Sequence, residues 1–248
     1  MSKKFSSFDR LKFSEQPLPE LGDGEVLDKQ NVIPGLDGAG TVVAIGKQVS
    51  RFQPGDKTFE PSTGGILDST LRTYGAFNKH ALVRAPSTLT AREASTLPCA
   101  ALTACNALYG SLDHVVKAGQ WVLVQGTGGV SIFALQFAKA GARVIATTAS
   151  PSKVEALKQL GADHVISYKE AHRIEAIRMC GVITIVGFLA GRSGDNETSF
   201  QRCLAKMFTL RPVFAGSRVQ LEEMIEAVEA HPEVLREGVW AGGASGGV

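Results

Sequence analysis

The feature that most constrains this chain is Gly126-Thr127-Gly128-Gly129-Val130-Ser131. It lies between an apolar β-prone run, Trp121-Val122-Leu123-Val124-Gln125, and a helix-spaced series, Val130, Phe133, Ala134, Phe137 and Ala138. A strand running into a glycine turn that opens a helix is the local architecture of a phosphate loop. Glycines there let the backbone turn tightly and approach a pyrophosphate, whose charge meets free N–H groups and the positive end of the helix dipole. Compared with the pattern G-x-G-x-x-G, Ser131 replaces the sixth-position glycine, so helix–strand packing has to take a hydroxymethyl group. The same glycines would also serve a plain strand-to-helix turn in another α/β protein.

The flanking sequence extends this unit. A second strand is predicted over 143–147, and Ser150-Pro151 starts a helix with a hydroxyl cap and a proline at the first helical position. Gly161 ends that helix where a left-handed residue is wanted, and Val154, Leu157 and Leu160 form its inner face. A third strand over 164–168 completes a β-α-β-α-β run whose connections are too long for hairpins, which is half of a doubly wound parallel (Rossmann) sheet. Beyond it the pattern predicts a helix over 171–179, a strand over 181–187, a helix near 200–207 and a strand near 210–215. A last amphipathic helix carries Leu221, Met224, Ile225 and Val228.

Upstream, residues 11–91 show short β-prone runs separated by turn signals such as Pro34-Gly35 and Pro54-Gly55-Asp56, with the clearest strands over 40–46 and 75–83. An Ala/Leu-rich stretch over 91–108 favours helix. The fold class is therefore α/β: a small β domain over 1–90 and a dinucleotide-binding domain over 91–237. The tail over 238–248, with five glycines and no periodicity, is read as unstructured.

Composition excludes several classes of partner. With 26 basic and 24 acidic residues and no Lys/Arg run, no nucleic-acid partner is expected. The apolar stretches are too short to span a bilayer, and Met1-Ser2-Lys3-Lys4-Phe5 leads into no apolar core, so the expectation is a cytoplasmic protein without a membrane partner. Cys99, Cys105, Cys180 and Cys203 form no C-x-x-C pair, which argues against a structural zinc lobe or a disulfide framework.

About 20 residues past the loop, an NAD site usually places Asp or Glu on the adenosine ribose. Here Thr147-Thr148-Ala149-Ser150 holds no acid, and small hydroxyl residues followed by Lys153 leave room and positive charge for a 2′-phosphate. NADPH is the expected cofactor, ahead of NADH. Taken alone, Lys153 also reads as an exposed helix lysine.

Four segments in order carry a family resemblance: Asn31-Val32-Ile33-Pro34-Gly35-Leu36-Asp37-Gly38-Ala39-Gly40, Phe52-Gln53-Pro54-Gly55-Asp56, Leu97-Pro98-Cys99-Ala100-Ala101-Leu102-Thr103-Ala104, and the glycine motif. Together they resemble the medium-chain dehydrogenase/reductase superfamily, most of all its zinc-independent, quinone oxidoreductase-like members. The resemblance implies a GroES-like β domain beside a Rossmann domain, with the substrate in the cleft between them. It implies that Gly126, Thr127, Gly128, Gly129 and Val130 hold the pyrophosphate. Ser150, Lys153 and Tyr168 would face the adenosine phosphate, and Thr103, Gly187, Phe188 and Leu189 would lie beside the nicotinamide. Phe188 and Leu189 also fit ordinary strand-end packing.

Zinc-dependent members show G-H-E where this chain has Gly35-Leu36-Asp37, so the histidine ligand is absent and no metal site is expected. Cys99 falls at a family ligand position but reads better as a small core residue. The family spacing also implies missing segments, after Glu25-Val26-Leu27, after Lys169-Glu170 and at the C-terminus, so both domains are read as incomplete. Two functions follow. One is an NADPH-dependent reductase of quinone, enone or carbonyl substrates, dimeric if the strand near 210–215 forms an intact sheet edge, with no catalytic acid identified. The other is a nucleotide-binding remnant or interaction protein without catalysis.

Overall fold

The computed structural model describes residues 22–23, 25–30, 37–60, 73–111, 113–167, 177–186 and 206–235. Tyr168, Gly187, Phe188, Leu189, Cys203, residues 171–176 of the helix predicted over 171–179 and the tail over 238–248 lie outside them, and residues 177–179 are not helical.

The N-terminal region is a five-stranded antiparallel sheet. Its strands β1 (Glu25–Gln30), β2 (Gly38–Ile45), β3 (Lys57–Glu60), β4 (Tyr74–Asn78) and β5 (Val83–Arg84) lie in the order β4-β1-β2-β3-β5. Between β2 and β3 the chain turns at Gln53-Pro54-Gly55-Asp56, closed by Asp56 N–H donating to the Gln53 carbonyl at 3.1 Å. Gly55 has φ of +98°, so proline at the second position and glycine at the third meet the demands of a type II turn. Val42, Val49, Phe52, Phe77 and Leu82 make a small core of this sheet.

A larger core joins the sheet to the rest of the chain. Ala39, Phe59 and Val83 pack in one cluster with Leu97, Leu102, Leu135, Val144 and Leu221. At the seam, the helix-favouring stretch over 91–108 forms three helical pieces. Helix α1 (Ala91–Ala94) is closed by a Thr90/Glu93 capping box, a wide π turn follows over Leu97–Ala101, and α2 (Leu102–Tyr109) completes the run. Pro98 lacks a backbone N–H and cannot supply the regular i→i−4 bond, which accounts for the wide turn at that point.

Next come β6 (Trp121–Gln125), α3 (Gly129–Ala138), β7 (Arg143–Thr148), a 3₁₀ turn over Pro151–Lys153, α4 (Val154–Gln159) and β8 (His164–Ser167). β6, β7 and β8 form a parallel sheet in that order, as the β-α-β-α-β reading requires. Gly161, with φ of +106°, follows α4 as the left-handed stop. The cap expected from Ser150 is corrected: its hydroxyl pairs with that of Ser152 at 2.8 Å and caps nothing, while Pro151 does open the turn.

β9 (Val182–Val186) and β10 (Thr209–Val213) form a separate two-stranded parallel sheet, followed by α5 (Arg218–Ala230). In an uninterrupted doubly wound sheet β6 would be interior. Here Trp121 is 50% and Leu123 39% exposed, and β6 pairs only with β7 among the described strands. Among the described residues, the three non-glycine ones with left-handed φ, Cys180, Met207 and Ala215, all border β9 and β10. Each such conformation costs on the order of 1 kcal/mol, so backbone strain collects beside these two strands.

What ties this second sheet to the body is polar. Arg211 on β10 donates to the Asn106 carbonyl at 2.6 Å and to Asn106 Oδ1 at 2.7 Å, and Asn106 Nδ2 donates to the Ala215 carbonyl at 2.7 Å. Replacing Asn106 with alanine keeps the bond from Arg211 to the backbone carbonyl of residue 106 but removes the Oδ1 acceptor of the partly buried guanidinium and the Nδ2 donor to the Ala215 carbonyl. Asn106→Ala is expected to lower unfolding stability by about 2–3 kcal/mol, read as a shift in the urea midpoint. Among the described residues no helix is long and apolar enough to cross a membrane.

Candidate functional site

The glycine loop has the geometry its sequence demands. Gly126, with φ of +81°, turns the chain out of β6, and its N–H donates to the Thr147 carbonyl at 3.1 Å and to Thr147 Oγ1 at 3.2 Å. Gly128 is the N-cap of α3 in extended conformation, and no side chain caps the helix, so its positive end is open to an anion. A Cβ at Gly128 would meet nothing within 4 Å, whereas one at Gly129 would lie 3.2 Å from Ala100 Cβ. The glycine at 128 therefore keeps space free outside the protein, and the one at 129 admits the π turn. Ser131 explains its own departure from the pattern: its hydroxyl donates to the Gln125 carbonyl at 2.7 Å, tying the first turn of α3 back to the end of β6.

Lys153 reaches across this loop. Its Nζ donates to Thr127 Oγ1 at 3.1 Å, placing a cation beside the glycines, and the paired hydroxyls of Ser150 and Ser152 lie on the same turn. Val130 is partly buried in the first turn of α3. Thr103 is 4% exposed, and its hydroxyl donates to the Cys99 carbonyl at 2.6 Å. Of the residues singled out in sequence, the structure thus brings together Gly126, Thr127, Gly128, Gly129, Val130, Ser150 and Lys153. Thr103 sits on the π-turn side of the loop.

The sequence reading noted Asp37 only as the acid after a missing histidine. Its carboxyl accepts the Cys99 backbone N–H, and burial pushes its pKa up to about 6 against that bond's lowering effect. The Cys99 thiol is pushed up too, first by burial and then by the Asp37 charge. One signal was available: Asp37 is the only charged residue between Asn31 and Lys47. Among the described residues no three His, Cys, Asp or Glu side chains come together as a metal site.

An antiparallel β domain packed on a parallel sheet that opens with a glycine phosphate loop defines the class, a GroES-like domain with a Rossmann-type domain. Two family patterns match in that order: "alcohol dehydrogenase GroES-like domain" over residues 15–92 and "zinc-binding dehydrogenase" over residues 129–181. A zinc-type alcohol dehydrogenase-like protein of Schizosaccharomyces pombe is 34% identical over 307 aligned positions, covering 93% of this chain and 89% of that protein. The chain belongs to the medium-chain dehydrogenase/reductase superfamily, whose members bind nicotinamide cofactors.

A chloroplastic quinone-oxidoreductase of Triphysaria versicolor is 35% identical over 188 residues, which cover 64% of this chain and 57% of that protein. Among solved structures, an alcohol dehydrogenase superfamily protein from Novosphingobium aromaticivorans superposes with a TM-score of 0.72 at 26% identity, covering 90% and 83% of the two chains. In the Schizosaccharomyces alignment, 93% of 248 residues is about 231, so about 76 of the 307 positions are gaps in this chain. That relative therefore carries interior sequence that this chain lacks, in keeping with the split parallel sheet.

Proposed function

We propose that this chain is an NADPH-dependent reductase that transfers hydride to a quinone, an enone or another carbonyl compound without zinc. The observation that carries the reading is the open N-terminus of α3 at Gly128 with Lys153 placed over the same loop. The backbone N–H groups at Gly129 and Val130 would neutralise the pyrophosphate, and Lys153 and Ser150 would hold the adenosine 2′-phosphate. Tyr168 joins that phosphate site in this reading, and Thr103, Gly187, Phe188 and Leu189 shape the nicotinamide side. The cofactor supplies the hydride when bound. The chain orients it and keeps water from the reacting carbon.

Two features favour the zinc-free form. Leu36 stands where a histidine ligand is needed, and the Asp37 carboxyl is engaged by the Cys99 N–H. The residues present do not fit a catalytic zinc, and no step runs through one. The division at about residue 90 and a homodimer formed along the β10 edge belong to the same reading; Phe214, 74% exposed, flanks that edge.

Lys153→Ala is expected to weaken NADPH binding about tenfold or more and to leave NADH binding nearly unchanged, because only the 2′-phosphate loses a partner. Fluorescence titration with both cofactors checks this. Activity is tested by following NADPH oxidation with a panel of quinones and enones at near-saturating cofactor. Oxidation supports the reductase. Binding without oxidation supports a nucleotide-binding remnant instead, a reading favoured by the exposed face of β6 and the separation of β9 and β10 from β6.

A further inference from the structure

We propose that Thr127 is a positioning residue that sets cofactor preference: its hydroxyl fixes the Lys153 ammonium over the open end of the glycine loop, where the 2′-phosphate of NADPH would meet it. The inference rests on the NADPH reading above and adds to it the group that aims the lysine.

Both ends of the contact are tied to the end of one strand, β7. On the loop side, Gly126, just before Thr127, donates its N–H to the carbonyl and the hydroxyl oxygen of Thr147. The Ser131 hydroxyl draws the first turn of α3 back to the Gln125 carbonyl, so the backbone that carries Thr127 is pinned on either side. On the lysine side, the Ser150 N–H donates to Thr148 Oγ1 at 3.1 Å, and the Lys153 N–H donates to the Ser150 carbonyl at 3.1 Å. Thr147 and Thr148, the anchors for the two sides, are buried. What stays free is the Lys153 side chain, a flexible four-carbon stem. The Thr127 hydroxyl, 3.1 Å from Nζ, selects the rotamers that end over the loop.

The place is open to an anion. Gly128, Gly129 and Lys153 are exposed, and a Cβ at Gly128 would meet nothing within 4 Å. A phosphate arriving from solvent can therefore reach the free end of α3 and the ammonium together.

The chemistry of the partner matters as much as its position. A carboxylate would hold the lysine and also cancel its charge. A hydroxyl accepts one of the three ammonium N–H donors and leaves the positive charge, with two donors, for a ligand. Among the described residues no carboxylate forms an ion pair with Lys153. NADH carries a neutral ribose hydroxyl where NADPH carries the phosphate, so it gains little from a cation fixed in advance. Holding the lysine ready removes an ordering cost from one cofactor and not from the other.

The test titrates the full chain with NADPH and with NADH, by fluorescence at one ionic strength, in wild type, Thr127→Val, Thr127→Ser, Lys153→Ala and the Thr127→Val/Lys153→Ala double variant. Thr127→Val keeps the shape of the side chain and removes the hydroxyl. It is expected to raise the NADPH Kd about three- to tenfold, the range for one side chain left to be ordered on binding, and to leave the NADH Kd within about twofold. Thr127→Ser restores the hydroxyl and should restore the wild-type ratio of the two constants. In the Lys153→Ala background, Thr127→Val should leave that ratio unchanged, because no ammonium remains to be aimed. Adenosine 2′,5′-bisphosphate and 5′-AMP, which lack the pyrophosphate, should show the same split between wild type and Thr127→Val.

An equal rise in both dinucleotide constants would mean that Thr127 serves the shared pyrophosphate, and it overturns the proposal alone. An unchanged ratio in Thr127→Val, or a change that persists without Lys153, does the same. A wild type that binds NADPH and NADH equally, or binds neither, overturns the NADPH reading and this proposal together. If Thr127→Val fails to fold, shown by a lowered Tm with loss of NADH binding, Thr127→Ala decides by the same ratio.

Discussion

Gly128→Asp is expected to lower NADPH affinity by about 100-fold or more, or about 3 kcal/mol, while the chain folds as well as before. Space and backbone geometry place no objection to a side chain here. Gly128 is extended, with φ of −79° and ψ of 172°, and a Cβ would meet nothing within 4 Å. Aspartate is among the preferred N-caps, so its carboxylate would satisfy the first-turn N–H groups of α3 that no side chain caps at present. Those are the donors a pyrophosphate would use, and the new charge repels it. Thermal unfolding should show a Tm equal to or above wild type alongside the lost affinity in a fluorescence titration. Loss of both together would mean that the glycine serves the fold and not the ligand.

The second large effect concerns the seam. Phe59→Ala is expected to destabilise the chain by about 3–5 kcal/mol, the range for truncating a fully buried aromatic. Phe59 is 0% exposed, lies between Ala39 and Val83 in the sheet register, and joins the cluster that contains Leu97 and Leu102. Its removal opens a cavity where the β sheet meets the π turn. Urea unfolding followed by circular dichroism gives the shift. Val43→Ala, on the exposed side of β2, is the control and should change stability by less than about 1 kcal/mol.

The parts of this structure legible in sequence are those set by near neighbours. The run from Trp121 to Gln125, the glycines after it, and Gly161 after α4 each depend on local backbone demands, and each was found where expected. What escaped depends on distance or on one missing atom. Alanine and leucine are frequent over 91–108 and favour helix, and the absent N–H of Pro98 turns the middle of the run into a wider coil. The Ser150 hydroxyl had a nearer partner in Ser152 than in the helix it was expected to cap.

Asp37 acquires its character from Cys99, 62 positions later, and from burial that no window of sequence displays. The missing segments were visible as a departure from family spacing. Their effect, an exposed β6 and a second sheet held through Asn106 and Arg211, is visible only in strand pairing and side-chain bonds. Tyr168 and the turn at Gly187-Phe188-Leu189 remain part of the proposed site on sequence grounds.

The central claim is that the glycine loop and Lys153 together select NADPH. The most direct measurement is a paired fluorescence titration of the full chain with NADPH and with NADH at one ionic strength. NADPH should bind at least about tenfold more tightly, since its additional phosphate meets Lys153 and the hydroxyls beside it. Equal affinity for the two cofactors, or no binding of either, would contradict the account.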